Sequence, residues 1–376
     1  MTPRLLLFAV AALATGCPTA NDDDSAVAND DDSVAVDPLG FAVDEPGPFH
    51  VGWRQLPTTY TPAGATEARS TDVAVWYPTE DLTGEPATYL LGIDQDAFVD
   101  ASLAPPLYDG RYPVMVYSHG SQGWAGTSND LSRWFASHGW VVVAPQHYGN
   151  TFTDNSRAGT AAHYLERPGD VSAALDLLEA LPGSDPLAGL ASTDRVLLTG
   201  HSRGAYSVWS VAGATYDATA VASACDTPDF DAPCTDAEEA AFLAGLGDER
   251  IAASIPMAGG IRRQFFGPTG HRGVSHPVLW MTGSEDEGTP GSHLAQWGEF
   301  DDIDLRWVDV DGGCHQTFAL GTPCGTLSAE EGWRIVDTWA LAFGRAHVLG
   351  DDDATTLGIL DGTVEVSERV TLRILE

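Results

Sequence analysis

The stretch RVLLTGHSRGA, Arg195 to Ala205, decides the fold. Its first half is a short apolar run, its end opens a helical pattern from Ala205 to Ala212, and between them Gly200-His201-Ser202-Arg203-Gly204 leaves room only for a tight turn. A serine at the apex of such a strand-to-helix turn crowds the backbone two residues to either side, where Gly200 and Gly204 carry no Cβ. The turn lifts the Ser202 hydroxyl above the end of a sheet and aims a helix N-terminus, with the Arg203 amide, at the same point. Earlier in the chain PVMVYSHGSQG, Pro113 to Gly123, has the same form of apolar run followed by a Gly-punctuated loop, and the amide of Ser121 is the candidate partner of the Arg203 amide.

Around these two loops, apolar runs of strand length recur at Val73–Tyr77, Trp140–Pro145, Ala252–Met257, Val278–Thr282 and Leu305–Val310. Helical patterns lie between them, as in Asp170–Leu181, where Val171, Ala174, Leu175 and Leu178 share one face. Near-continuous apolar strands alternating with helices predict an α/β fold, a mainly parallel central sheet with helices on both faces. Such sheets place their sites at the carboxyl ends of the strands. After PVLWMTG comes Ser284-Glu285-Asp286-Glu287, and after LRWVDVDGG comes Cys314-His315-Gln316. In the order serine, acid, histidine, Ser202 is the candidate nucleophile, Asp286 the residue that orients the imidazole and His315 the base, with Glu285, Glu287, Asp309 and Asp311 as rival acids. His147, His201, His271 and His276 lack that placement, and His119 reads as structural. Trp124, just past the first loop, is a candidate wall of an apolar acyl site, and Trp209 reads as core. This chemistry needs no metal and no cofactor.

YSHGSQG, FASHGWVVVAPQHYGN, RPGDVSAALDLLEAL, GHSRGA and GGCHQTFA together resemble the platelet-activating-factor acetylhydrolase and dienelactone-hydrolase-like branch of the α/β-hydrolases, and bacterial polyester hydrolases are similar in the same places. GHSRG also occurs in chlorophyllases. The likeness runs from about Val73 to Leu349. It implies the α/β-hydrolase fold and a carboxylic-ester hydrolase with Ser202, Asp286 and His315 as triad and the amides of Ser121 and Arg203 as oxyanion hole. Two features depart from it. The acetylhydrolase takes its acid from the preceding strand's loop, where this chain has SIPMAGG without a carboxylate, and dienelactone hydrolase has a cysteine where this chain has Ser202. The resemblance therefore points to ester chemistry more narrowly than to a substrate, with a small or lipid-like ester as the expected partner. The alternative from another class is a non-catalytic surface-anchored protein that keeps the fold for binding.

The chain has 376 residues, 43% of them hydrophobic, enough for a large core. All 18 basic residues are Arg against 54 acidic ones, a net charge of -36 that argues against nucleic acid and anionic membranes as partners. At the amino terminus Arg4, the apolar run Leu5–Ala14 and the small residues before Cys17 read as residues 1–16 of a lipoprotein-type signal peptide. Leu13-Ala14-Thr15-Gly16-Cys17 resembles a bacterial lipobox, so Cys17 is the candidate lipidation site and the outer membrane, cell surface, periplasm or medium the expected location. Residues 17–47, with NDDDS twice, read as an acidic disordered linker without the Gly and spacing of a calcium loop. Residues 48–349 are the expected catalytic domain, 213–250 a candidate cap or lid, and 350–376 an acidic extension ending in a strand-like segment of unassigned role. Cys225, Cys234, Cys314 and Cys324 are expected to form two disulfides; pairing of sequence neighbours is the simplest of three connectivities.

Overall fold

The computed structural model describes residues 37–375 except 91, 227–229, 287–291 and 324. The expectations for Cys17, the signal peptide, the NDDDS repeats, Glu287 and Cys324 lie outside the described residues. Eleven strands are described: β1 (His50–Tyr60), β2 (Arg69–Thr79), β3 (Pro86–Tyr89), β4 (Gly92–Val99), β5 (Tyr112–Ser118), β6 (Val141–Pro145), β7 (Ala191–His201), β8 (Ile251–Met257), β9 (Val278–Gly283), β10 (Leu305–Val310) and β11 (Val370–Leu375). They form one sheet in the order β11-β10-β9-β8-β7-β5-β6-β2-β1-β4-β3. The helices are α1 (Asn129–Ser137), α2 (Ala161–Glu179), α3 (Arg203–Val211), α4 (Ala218–Asp226), α5 (Asp236–Ala244), α6 (Arg263–Phe266), α7 (Ser292–Trp297), α8 (Ala329–Gly344) and α9 (Ala354–Asp361).

From β6 through β5, β7, β8 and β9 to β10 every pairing is parallel. Every residue of β5 and β6 is buried, because helices cover both faces. The two-residue period sorts side chains between those faces: Met115 and Tyr117 of β5 join Phe135 of α1 and Trp339 of α8, while Val114 and Val116 join Leu175 of α2 and Val208 of α3. Helix α2 contains Pro168, which has no N–H for the Tyr164 carbonyl; the Tyr206 hydroxyl donates to that carbonyl instead, at 2.9 Å. Strand β5 pairs with β6 on one side and β7 on the other, so chain direction across the sheet reverses at β5. The loops after β5 and β7 thus leave the sheet side by side, with Ser118 registered against Gly200.

The segment expected as a cap supplies α4 and α5, tied by the Cys225–Cys234 disulfide. Its Val221, Phe230 and Phe242 are buried with Tyr164, Tyr206 and Trp209 in an aromatic cluster. Trp209 is core. The tail after Gly350 supplies α9 and β11, which pairs antiparallel with β10. Upstream, the carbonyls of Leu39 and Phe41 accept from the buried Arg345, whose Nε donates to Asp351 at 2.8 Å. The compact unit begins at Asp37 and includes the tail, so it takes in residues that the sequence assigns to linker and extension. Among the described residues no helix is long and apolar enough to cross a membrane.

Candidate active site

Ser202 sits between β7 and α3 with φ 55° and ψ -111°, a conformation that a non-glycine residue holds only when its surroundings enforce it. They do so through close backbone approach. The Ser202 amide donates to Met257 O of β8 at 2.9 Å. A Cβ at Gly204 would lie 1.9 Å from Ser118 O, and one at Gly200 would lie 2.7 Å from Gly204 O. Both flanking glycines are therefore sterically required, and Ser202 is left half-buried at the end of the sheet.

The β5 loop closes against it: a Cβ on Gly120 would meet His201 Nδ1 at 2.9 Å and Ser202 Cβ at 3.4 Å. Among the described residues neither the Ser121 amide nor the Arg203 amide donates a hydrogen bond, which leaves both for an incoming oxygen. A buried scaffold shapes this loop. Arg167, fully buried in α2, donates to the His119 carbonyl and to Asn150 Oδ1, the latter at 3.0 Å, and Asn150 Nδ2 donates to Ser121 Oγ at 3.0 Å. Burial and the neighbouring Arg203 charge pull the Arg167 guanidinium down to about 9. His119 bonds Gly120 O through Nδ1 and accepts from the His147 amide at Nε2. That engagement is structural.

The loops after β9 and β10 bring the other two candidates together. Gly283 and Gly313 permit this, since a Cβ on Gly283 would fall 2.2 Å from Gly313 O. His315 Nδ1 lies 3.0 Å from both carboxylate oxygens of Asp286, whose side chain is 1% exposed against 34% for His315. The described rivals are engaged elsewhere: Glu285 accepts from Thr326, Asp309 from Thr282, and Asp311 from Arg369. His201 packs on His315 with ring centroids 4.7 Å apart and donates through Nε2 to the His315 carbonyl at 2.9 Å. Burial and the His315 charge push its own pKa down to about 3, so it remains a neutral donor. Among the described residues no hydrogen bond joins Ser202 Oγ to His315. Such bonds are often long without substrate and tighten when it binds.

A second serine, histidine and aspartate set lies beneath this one. Ser118 Oγ is 2.9 Å from His147 Nε2, and His147 Nδ1 is 2.9 Å from Asp170 Oδ2, with all three residues fully buried. Burial and the charges of Arg167 and Arg69 hold His147 well below its ordinary pKa, so it donates to Asp170 and accepts from Ser118. No ester reaches a serine without exposure. Sequence reasoning gives these residues, Arg167 and His201 no role, and only the x of GxSxG and the Ser118-His119 loop edge hinted at their position. His271 pairs with Asp301 and His276 with Ser254, apart from the triad candidates. Cys314, next to His315, is disulfide-bonded. Trp124 lines a cavity of about 300 Å³ together with Trp53, Tyr89 and Tyr148, and none of Ser202, Asp286 and His315 lines it.

A family model described as Chlorophyllase matches residues 100–225, a span that holds both Gly-rich loops and GHSRGA. No curated protein matches the chain. Among solved structures, a ferulic acid esterase from Streptomyces cinnamoneus superposes with a TM-score of 0.61 at 22% identity, covering 89% of this chain and 99% of that one.

Proposed function

We propose that this chain, an α/β-hydrolase by fold, is a serine hydrolase that cleaves carboxylic esters through an acyl-enzyme on Ser202. Ser202 Oγ attacks the ester carbonyl while His315 Nε2 takes its proton, and Asp286 at Nδ1 holds the ring in the tautomer that leaves Nε2 free to accept. The amides of Ser121 and Arg203 donate to the tetrahedral oxyanion, with the α3 dipole behind them. His315 then protonates the leaving alcohol, and a water activated by the same imidazole releases the acid. The observation that carries this reading is the strained, half-exposed Ser202, whose neighbour His201 packs on His315, together with the buried carboxylate that holds His315 Nδ1. The Chlorophyllase match over the nucleophile loop supports ester chemistry. The Cys225–Cys234 disulfide supports export to an oxidising compartment, with Cys17 as the anchor if it is lipidated.

A fluorophosphonate probe followed by peptide mapping tests the proposal. An adduct on Ser202 together with turnover of p-nitrophenyl acetate is the expected result. A protein that takes no probe and turns over no ester is a binding module on this fold.

A further inference from the structure

Carboxylates outnumber arginines three to one in this chain, 54 to 18, and most described guanidinium groups sit against one: Arg54 on Asp185, Arg69 on Asp170, Arg250 on Asp248, Arg345 on Asp351. Arg203 and Arg262 do not. Among the described residues neither makes an ion pair, and the Arg262 guanidinium makes no hydrogen bond. Both are half-buried, and both converge on one ring: the Arg203 guanidinium lies 4.7 Å from the Tyr164 centroid and donates to its hydroxyl, and that of Arg262 lies 6.0 Å from the same centroid. Burial and the charge of Arg203 lower the Arg262 pKa, the mark of two like charges brought together without a counter-ion.

The pair stands beside the nucleophile. Arg203 follows Ser202 directly, and Arg262 ends the loop after β8, in which a Cβ on Gly259 would lie 2.9 Å from Ser202 O. Two planar donor forks and a tyrosine hydroxyl with a proton to give suit a carboxylate, which accepts bidentate guanidinium bonds. In a protein of net charge -36 a carboxylate-bearing substrate is repelled by the surface at large, so its recognition requires a local cationic contact.

We propose that Arg203, Arg262 and the Tyr164 hydroxyl form an anion-recognition site next to Ser202, and that the substrate is an ester carrying a free carboxylate on its acyl or alcohol part. This inference rests on the hydrolase reading for its catalytic consequence, but the anion site is testable without turnover. In a pH-stat, monoethyl adipate is compared with diethyl adipate, and 4-acetoxybenzoate with its methyl ester. The wild type is expected to favour the charged member of at least one pair by about tenfold or more in kcat/KM. Arg262→Gln brings that ratio toward one, while Arg262→Lys, which keeps charge without the fork, retains part of it. Whichever pair shows the preference places the carboxylate on the acyl or the alcohol side. Independently, calorimetry on the Ser202→Ala protein measures binding of monoethyl adipate and 4-acetoxybenzoate, which Arg262→Gln weakens by about tenfold or more. Turnover without charge preference leaves the hydrolase standing and overturns the anion site; binding that depends on Arg262 without any turnover does the reverse. Should Arg262→Gln not fold, Arg262→Lys and Tyr164→Phe carry the comparison, and unchanged ratios and affinities in both overturn the proposal.

Discussion

Asp286 and Asp170 each hold a histidine, His315 and His147, and changing each carboxylate to an amide separates catalysis from architecture. Asp286 sets both of its carboxylate oxygens 3.0 Å from His315 Nδ1. In Asp286→Asn the amide nitrogen donates to Nδ1, the ring proton moves to Nε2, and the ring no longer accepts from Ser202. A loss of about 10⁴ in kcat follows. Asp170 is placed differently. Its Oδ1 accepts from Tyr60 and from Arg69 Nε, both at 2.8 Å, and its Oδ2 accepts from Arg69 at 3.0 Å and His147 at 2.9 Å, with no side-chain exposure. Asp170→Asn leaves the 12%-exposed Arg69 without its anion and disturbs two further donors, which costs about 3–5 kcal/mol of stability. Urea midpoints and p-nitrophenyl acetate turnover, measured at a low temperature where both variants remain folded, give the two effects separately. If Asp286→Asn is nearly silent while folded Asp170→Asn loses several powers of ten in kcat, the assignment of the working set is reversed and the reasoning fails.

Ser202→Ala should abolish ester turnover and probe labelling, whereas Ser118→Ala, which removes one buried hydroxyl, should cost about 1–3 kcal/mol and leave labelling of Ser202 in place; labelling lost with Ser118 alone would contradict this. Gly204→Ala drives a methyl to within 1.9 Å of Ser118 O, so it should yield protein with lowered melting temperature and disturbed catalysis, and a wild-type-like variant would show that the turn has slack. His201 has a folded-state pKa of about 3 against the ordinary 6.5. The stability it contributes as a neutral group is whole above about pH 6.5 and drains at about 1.4 kcal/mol per pH unit as the pH falls toward its folded value. Relative to wild type, His201→Gln should therefore show a shallower decline in unfolding free energy between about pH 6 and pH 4; parallel curves would mean that His201 is protonated in the folded protein. Removing the Cys225–Cys234 bridge, whose cysteines are 9 residues apart, by replacing both with serine should lower stability by about 2–3 kcal/mol, read from urea midpoints against wild type.

Periodicity and punctuation carried the architecture. Runs such as VMVY and VVVAP have no polar alternation because both faces of their strands are covered, and a central parallel sheet follows from that alone. The Ser202 turn was legible because its requirement is local: a residue at φ 55° with backbone pressed against it needs glycines at fixed offsets, and the chain spells them. Asp286 stood out by its place after a strand, but nothing local distinguished it from Glu285, Asp309 or Asp311. That choice belongs to the close approach of Gly283 and Gly313, which turns one carboxylate of the acidic turn toward His315 and leaves Glu285 to Thr326. The buried Ser118, His147 and Asp170 set and the unpaired Arg203 and Arg262 were illegible for the same reason. Their partners come from elements far apart in the chain, and whether a serine is sealed in the core or open to an ester, or a guanidinium paired or free, depends on which side chains the folded sheet and helices bring to the same place.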